Sequence, residues 1–114
     1  MRFWARGDEG DSMIVLTVCY KSGIEFDTDY YLGKHMPLTA EKLGPLGLRN
    51  AEVRNILGTP MGTPAPYQVI TTLYFNDAAA LQNAFESAEG QAVVADIPNF
   101  YHGTPDLMIG EVVA

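Results

Sequence analysis

The chain is short of cysteine, of basic residues and of long apolar runs, and each shortage excludes something. Cys19 is the single cysteine, so no internal disulfide can form, which fits a reducing cytoplasm. Lysine and arginine total 7 against 14 aspartates and glutamates, for a formal net charge of −7. The basic residues are scattered singly, without the stripe that nucleic acid or an anionic membrane surface requires. Neither is an expected partner. No window approaches the roughly 18 consecutive apolar residues of a membrane span. The two histidines, His35 and His102, lack a nearby cluster of Cys, Asp and Glu at ligand spacing, so no metal is expected. A phosphate-cradling glycine loop, a GxSxG elbow and a CxxC pair are missing as well.

What is there is a composition that folds: 47% hydrophobic and 18% charged residues. One domain of 114 residues buries about two thirds of its unfolded surface and needs no staple. The first twelve residues stand apart. Met1-Arg2-Phe3-Trp4-Ala5-Arg6 has no apolar stretch behind its basic residues, so it is not a secretory signal. The stretch that follows, to Ser12, is polar and glycine-rich. Residues 1–12 are expected to be a disordered leader or an over-long translation start, with a single domain over residues 13–114.

Periodicity organises that domain. Ile14, Leu16, Val18 and Tyr20 alternate with Met13, Val15, Thr17 and Cys19, a strand apolar on both faces. Asp27 as N-cap and Asp29 in the first turn predict a helix over about 28–43, kinked near Pro37 and stopped by Gly44-Pro45-Leu46-Gly47. A second strand is expected over 48–58. Residues 59–66 form a proline- and glycine-rich connection too long for a tight turn. A third strand covers 67–76. Asn76 or Asp77 caps a second helix with the stripe Ala78, Leu81, Phe85 and Ala88. Gly90 is expected to end it, with one further turn over 92–97, and 104–113 is the last strand. The order β-α-β-β-α-β predicts the α+β class: a ferredoxin-like fold with a four-stranded antiparallel sheet and both helices on one face. Strands one, three and four carry apolar side chains on the other face too. Such a patch marks an interaction surface. A second copy, sheet against sheet, is the economical cover, so a homodimer with a barrel-like interior is expected.

The least ordinary stretch runs from Phe26 to Leu38. Tyr31 and His35 are four residues apart, so a helix places them on one face, and a proline follows just beyond. Imidazole titrates near neutrality and can act as general acid, general base or hydrogen-bond donor. His35 is the candidate catalytic residue. Tyr30 and Tyr31 diverge by about 100° on a helix, so one of them lines a cavity. Tyr20 and Tyr67, on strands, are further candidates for an aromatic lining, although strand aromatics are also ordinary core residues. Cys19 reads as an inert buried thiol.

The segment Phe26-Asp27-x-Asp29-Tyr30-Tyr31-x-x-Lys34-His35-Met36-Pro37-Leu38, placed after a hydrophobic strand, resembles the signature of the EthD family, named for ethyl tert-butyl ether degradation. The resemblance extends over residues 13–114. It implies the dimeric α+β barrel superfamily, in which two ferredoxin-like protomers pair through their sheets and each holds a pocket between sheet and helices. Relatives there include cofactor-independent monooxygenases, muconolactone isomerases, polyketide cyclases and small dehydratases or decarboxylases. Tyr30, Tyr31, His35 and Pro37 carry over; His102 and the 59–66 connection match no pattern.

Two functions follow as expectations. One is a cofactor-independent enzyme of organic-compound degradation or secondary metabolism, an isomerase, cyclase, lyase or monooxygenase. It would hold an apolar, oxygenated compound in a tyrosine-lined pocket beside His35. The other is a non-catalytic accessory protein that binds such a compound and delivers it to a separate oxidase.

Overall fold

A computed structural model describes residues 13–114; the expectation for residues 1–12 lies outside them. Strand β1 (Ile14–Lys21) leads into a helical segment in three contiguous pieces. These are α1 (Thr28–Tyr30), a π-helical turn (Tyr31–His35) and α2 (Met36–Leu43), closed by a 3-10 turn at Gly44–Leu46. Then come β2 (Leu48–Asn55), β3 (Tyr67–Phe75), α3 (Ala78–Glu86), α4 (Ala88–Ala95) and β4 (Asp106–Glu111). The four strands form one sheet in the order β2-β3-β1-β4, with every neighbouring pair antiparallel. This is the ferredoxin-like α+β fold.

The alternation read from the sequence decides which side chains meet the helices. Leu16, Val18 and Tyr20 of β1 join Val69, Leu73 and Phe75 of β3 in one buried cluster. Leu43, Leu81, Ala84 and Val93 close it from the helical layer. Each large apolar side chain buried there stabilises the fold by roughly 1.5–3 kcal/mol. On β2 the pattern is apolar toward the helices and polar away from them: Ala51 and Val53 pack on the core, whereas Glu52 and Arg54 stand opposite Thr72 and Ile70 on the outer face.

That outer face is more polar than the strand pattern predicts. Arg54 donates through Nη1 to Thr72 Oγ1 at 2.9 Å and through Nη2 to Glu52 Oε1 at 2.8 Å. The Tyr74 hydroxyl donates to the same Glu52 oxygen at 2.8 Å. Val15, Thr17 and Met108 continue the face on β1 and β4.

The second helix also differs from expectation. It breaks at Ser87, whose backbone is extended, and restarts as α4. Gly90 does not terminate a helix; it lies in the first turn of α4, where its N–H donates to Ser87 Oγ at 3.0 Å. Its role is close approach. A Cβ built at Gly90 would sit 2.0 Å from the Ala84 carbonyl oxygen, so only glycine lets the two helices meet there. The buried stripe is accordingly Leu81 and Ala84, then Gly90 and Val93. Ala78, Phe85 and Ala88 stay exposed.

Candidate active site

The helix that carries the tyrosines and the histidine begins as the sequence predicts. Asp27 accepts a hydrogen bond from the Tyr30 N–H through Oδ1 at 3.0 Å. Its irregularity lies earlier than Pro37. The Met36 N–H bonds to the Tyr31 carbonyl, five residues back, which widens the turn over Tyr31–His35. Pro37 has no N–H to continue the ladder and its ring presses on the carbonyl four residues earlier. A widened turn immediately before it accommodates both problems, and such turns are frequent at functional sites.

Tyr31 and His35, at the two ends of that turn, are both buried beneath the helix. Their rings stack at 5.3 Å between centroids, 17° from parallel. The Tyr31 hydroxyl is hydrogen-bonded to Thr71 Oγ1 on β3. Tyr20 meets the Tyr31 ring edge-on at 5.5 Å, and Phe100 closes over His35 at 4.5 Å. Tyr30 takes the other direction. Half-buried, it donates its hydroxyl to Asp96 Oδ1 at 2.7 Å.

Asp96 gathers the site. Its Oδ2 lies 2.9 Å from His35 Nδ1, while Asn99 Nδ2 donates to Oδ1 at 2.9 Å. Burial pushes the Asp96 carboxyl upward, but the hydrogen bonds from Tyr30, His35 and Asn99 outweigh it and hold the group below its ordinary range. A carboxylate can only accept, so His35 Nδ1 carries the proton and Nε2 is the bare acceptor. Burial lowers the His35 pKa, with Asp96 opposing the shift, so the ring is neutral near pH 7. Burial also raises Tyr31, and its phenol stays protonated.

His35, Tyr20, Tyr31, Thr39 and Thr71, among apolar side chains, line a cavity of about 60 Å³ between sheet and helices. Among the described residues no bond is made to His35 Nε2 and no fully enclosed side-chain nitrogen or oxygen lacks a partner, so Nε2 is not fully enclosed. Among those residues the titratable side chains lining the cavity are His35 and the phenols Tyr20 and Tyr31.

Of the residues singled out from the sequence, His35, Tyr31 and Tyr20 come together here, and Tyr30 contributes through Asp96. Tyr67 does not. Its hydroxyl donates to Asp106 Oδ2 at 2.7 Å, and Asp106 stands opposite Cys19 on the face away from the helices. The register shift between Tyr20 and Lys21 accounts for the difference, because it breaks the alternation just where Tyr67 pairs. His102 is exposed, with its Nδ1 3.3 Å from Glu25 Oε1. Among the described residues no group of three or more His, Cys, Asp or Glu is arranged to hold a metal ion, and no helix is long and apolar enough to cross a membrane. Asp96, Thr71 and Phe100 had no signal in the sequence, since each joins the site only through tertiary contact.

Comparison with known proteins agrees with this architecture. No curated protein matches the chain. An EthD-like protein from Ralstonia eutropha JMP134 superposes with a TM-score of 0.80 at 28% identity, covering 91% of this chain and 95% of its own. An ethyl tert-butyl ether degradation family protein from Bacillus halodurans C-125 gives a TM-score of 0.71 at 29% identity, covering 90% of this chain and 99% of its own. A dimeric ferredoxin-like protein from Thermobifida fusca, at 12% identity and a TM-score of 0.55, covers 99% of this chain and 97% of its own and shares the fold. The EthD domain model matches residues 24–104, a span that holds Tyr30, Tyr31, His35 and Asp96, and the chain belongs to the EthD domain family.

Proposed function

We propose that this protein is a cofactor-independent enzyme acting on an apolar, oxygenated small molecule, with His35 as its general acid and base. The observation that carries this reading is the His35–Asp96 pair beside an apolar cavity, with Nε2 not fully enclosed. A neutral imidazole there accepts a proton from a ligand hydroxyl or from a carbon acid beside a carbonyl. Asp96 holds the Nδ1 proton and stabilises the imidazolium that forms, while Tyr30 and Asn99 hold Asp96. The same proton then returns to a different atom of the ligand or to a leaving group, giving isomerisation, cyclisation or elimination with no oxidant consumed. General acid–base action of this kind contributes about 10²–10⁴-fold.

The sheet's outer face is the proposed homodimer surface. Val15, Thr17 and Met108 supply apolar contact there, and the Thermobifida neighbour is described as dimeric. Sedimentation should give twice the chain's mass; a compact 12.5 kDa monomer at micromolar concentration removes the dimer.

The enzyme reading is tested by screening phenolic and lactone compounds by thermal shift and assaying the hits for product with the wild type and His35→Gln. Turnover lost in the variant at a melting temperature within a few degrees of wild type supports it. Protection without turnover in the wild type identifies the accessory, ligand-delivering protein instead.

A further inference from the structure

The inner cavity shares Leu16, Leu81, Phe85 and Leu107 with an open groove of about 400 Å³ between α3 and β4. β4 is the edge strand, and its Leu107 and Ile109 pair in register with Val18 and Leu16. Residues opposite one another in a sheet share a face, so both side chains point toward the helical layer. Yet the helices do not cover them: Leu107 is 45% and Ile109 69% exposed. Phe85 reaches over from α3, also exposed. The result is two adjacent spaces with shared walls, a small one lined by His35 and a wider, open and apolar one over β4.

The polar groups are distributed unevenly between them. Beside His35, Nε2 is the acceptor, and among the described residues no Lys or Arg lines either space. At the outer rim the polar groups are Gln82 and Glu86, joined by a 3.1 Å hydrogen bond. Among the described residues an anionic ligand finds no cation in either space and meets the Glu86 carboxylate at the rim. An inner cavity of about 60 Å³ is also well below the roughly 300–1,000 Å³ of pockets that enclose a drug-sized ligand, so it takes only the head of a longer molecule.

We infer that the ligand is an uncharged, elongated amphiphile whose hydrogen-donating head, a hydroxyl or enol, meets His35 Nε2 and whose apolar tail lies in the α3–β4 groove over Leu107 and Ile109. This deepens the reading of His35 as the polar end of the site and rests on it. The neutral state of His35 supports it, because a neutral Nε2 accepts from a donor and gives no charge attraction to a carboxylate.

The test uses the full chain and four probes: phenol, 4-hexylphenol, its methyl ether and 4-hexylbenzoate. Affinity is measured by calorimetry, and the ¹⁵N resonance of His35 Nε2 reports contact with the head. Burying even part of the hexyl chain should make 4-hexylphenol at least about tenfold tighter than phenol. It should exceed the ether and the benzoate by a similar factor, since each lacks the right head. Ile109→Glu should weaken 4-hexylphenol and leave phenol unchanged. If phenol moves the Nε2 resonance but the hexyl chain adds nothing, or if Ile109→Glu has no effect, the elongated-ligand inference is overturned while His35 remains the polar end. Dissociation of a dimer by Ile109→Glu gives the groove to a second copy and overturns it too. If the tail adds affinity and no probe moves Nε2, the reading of His35 fails instead.

Discussion

Asp96 Oδ2 accepts a hydrogen bond from His35 Nδ1 at 2.9 Å across 61 positions of sequence. The pair fixes the tautomer of a buried imidazole, which the proposed function uses as a base. Without the carboxylate either ring nitrogen could hold the proton; with it, the proton stays on Nδ1 and the free electron pair is left on Nε2. Tyr30 and Asn99 occupy the other Asp96 oxygen, so the carboxylate itself has little freedom to turn away. In the proposed enzyme the helix irregularity, Tyr30 and the histidine would share one task, fixing the orientation of a single nitrogen.

Asp96→Asn should lower turnover by on the order of 10²-fold or more, because the amide no longer enforces the tautomer or stabilises the imidazolium. The pH profile should change in a defined direction. Asp96 pushes the His35 pKa up against the larger, downward effect of burial. Its neutralisation therefore lets the His35 pKa fall further, and the acid limb of kcat/KM moves to lower pH. A profile whose acid limb stays in place would show that the titrating group is not His35.

Stability should carry the same signature. His35 has a folded pKa below its ordinary value of 6.5. As pH falls below about 6.5, the unfolded chain takes up a proton that the folded chain does not, so stability falls until the folded pKa is reached. Asp96, also depressed, adds its own loss as pH falls below 3.8. Melting temperatures of wild type and His35→Gln followed from pH 7.5 to about 5 isolate the histidine. The wild type should lose more than the variant over that window; parallel curves would contradict the assignment.

Local chemistry was legible in the chain and tertiary chemistry was not. Asp27 and Asp77 act as the helix caps their side chains predict, with bonds of 3.0 and 2.8 Å to the N–H three residues on. The strand alternation puts Leu16, Val18 and Tyr20 on one face, because period-2 patterning is a property of neighbours; the fold makes that face the core. Gly90 was read as a helix stop because that is the commonest meaning of glycine near a helix end. Its real constraint, the Ala84 carbonyl, belongs to the preceding helix. Asp96 showed nothing, since a single carboxylate before Ile97-Pro98 is unremarkable until the fold carries it to His35. Tyr67 misled because one bulge reverses the alternation on which its placement depended.

Gly90→Ala tests the helix contact. The clash falls on a backbone oxygen, which no rotamer change relieves, so α3 and α4 must separate. Overpacking of this sort costs about 1–3 kcal/mol, and each kcal/mol lowers the melting temperature of a domain this size by roughly 4–8 °C. Calorimetry should therefore find a drop of at least several degrees. An unchanged transition would mean that the two helices are not held at this distance in solution.

Tyr31→Phe and Tyr67→Phe separate the two faces of the sheet. Tyr31→Phe leaves the buried Thr71 hydroxyl without its partner and should cost about 1–3 kcal/mol, whereas Tyr67→Phe loses a bond at the outer face and should cost less. Their effects on ligand binding should diverge. Removing the Tyr31 hydroxyl frees Thr71 Oγ1 inside the cavity and takes away a protonated phenol beside His35, so affinity for a phenolic probe should change. Tyr67 spends its hydroxyl on Asp106 at the outer face, and Tyr67→Phe should leave that affinity as it is. A loss of binding in Tyr67→Phe equal to that in Tyr31→Phe would move the ligand to the outer face and empty the cavity of its role.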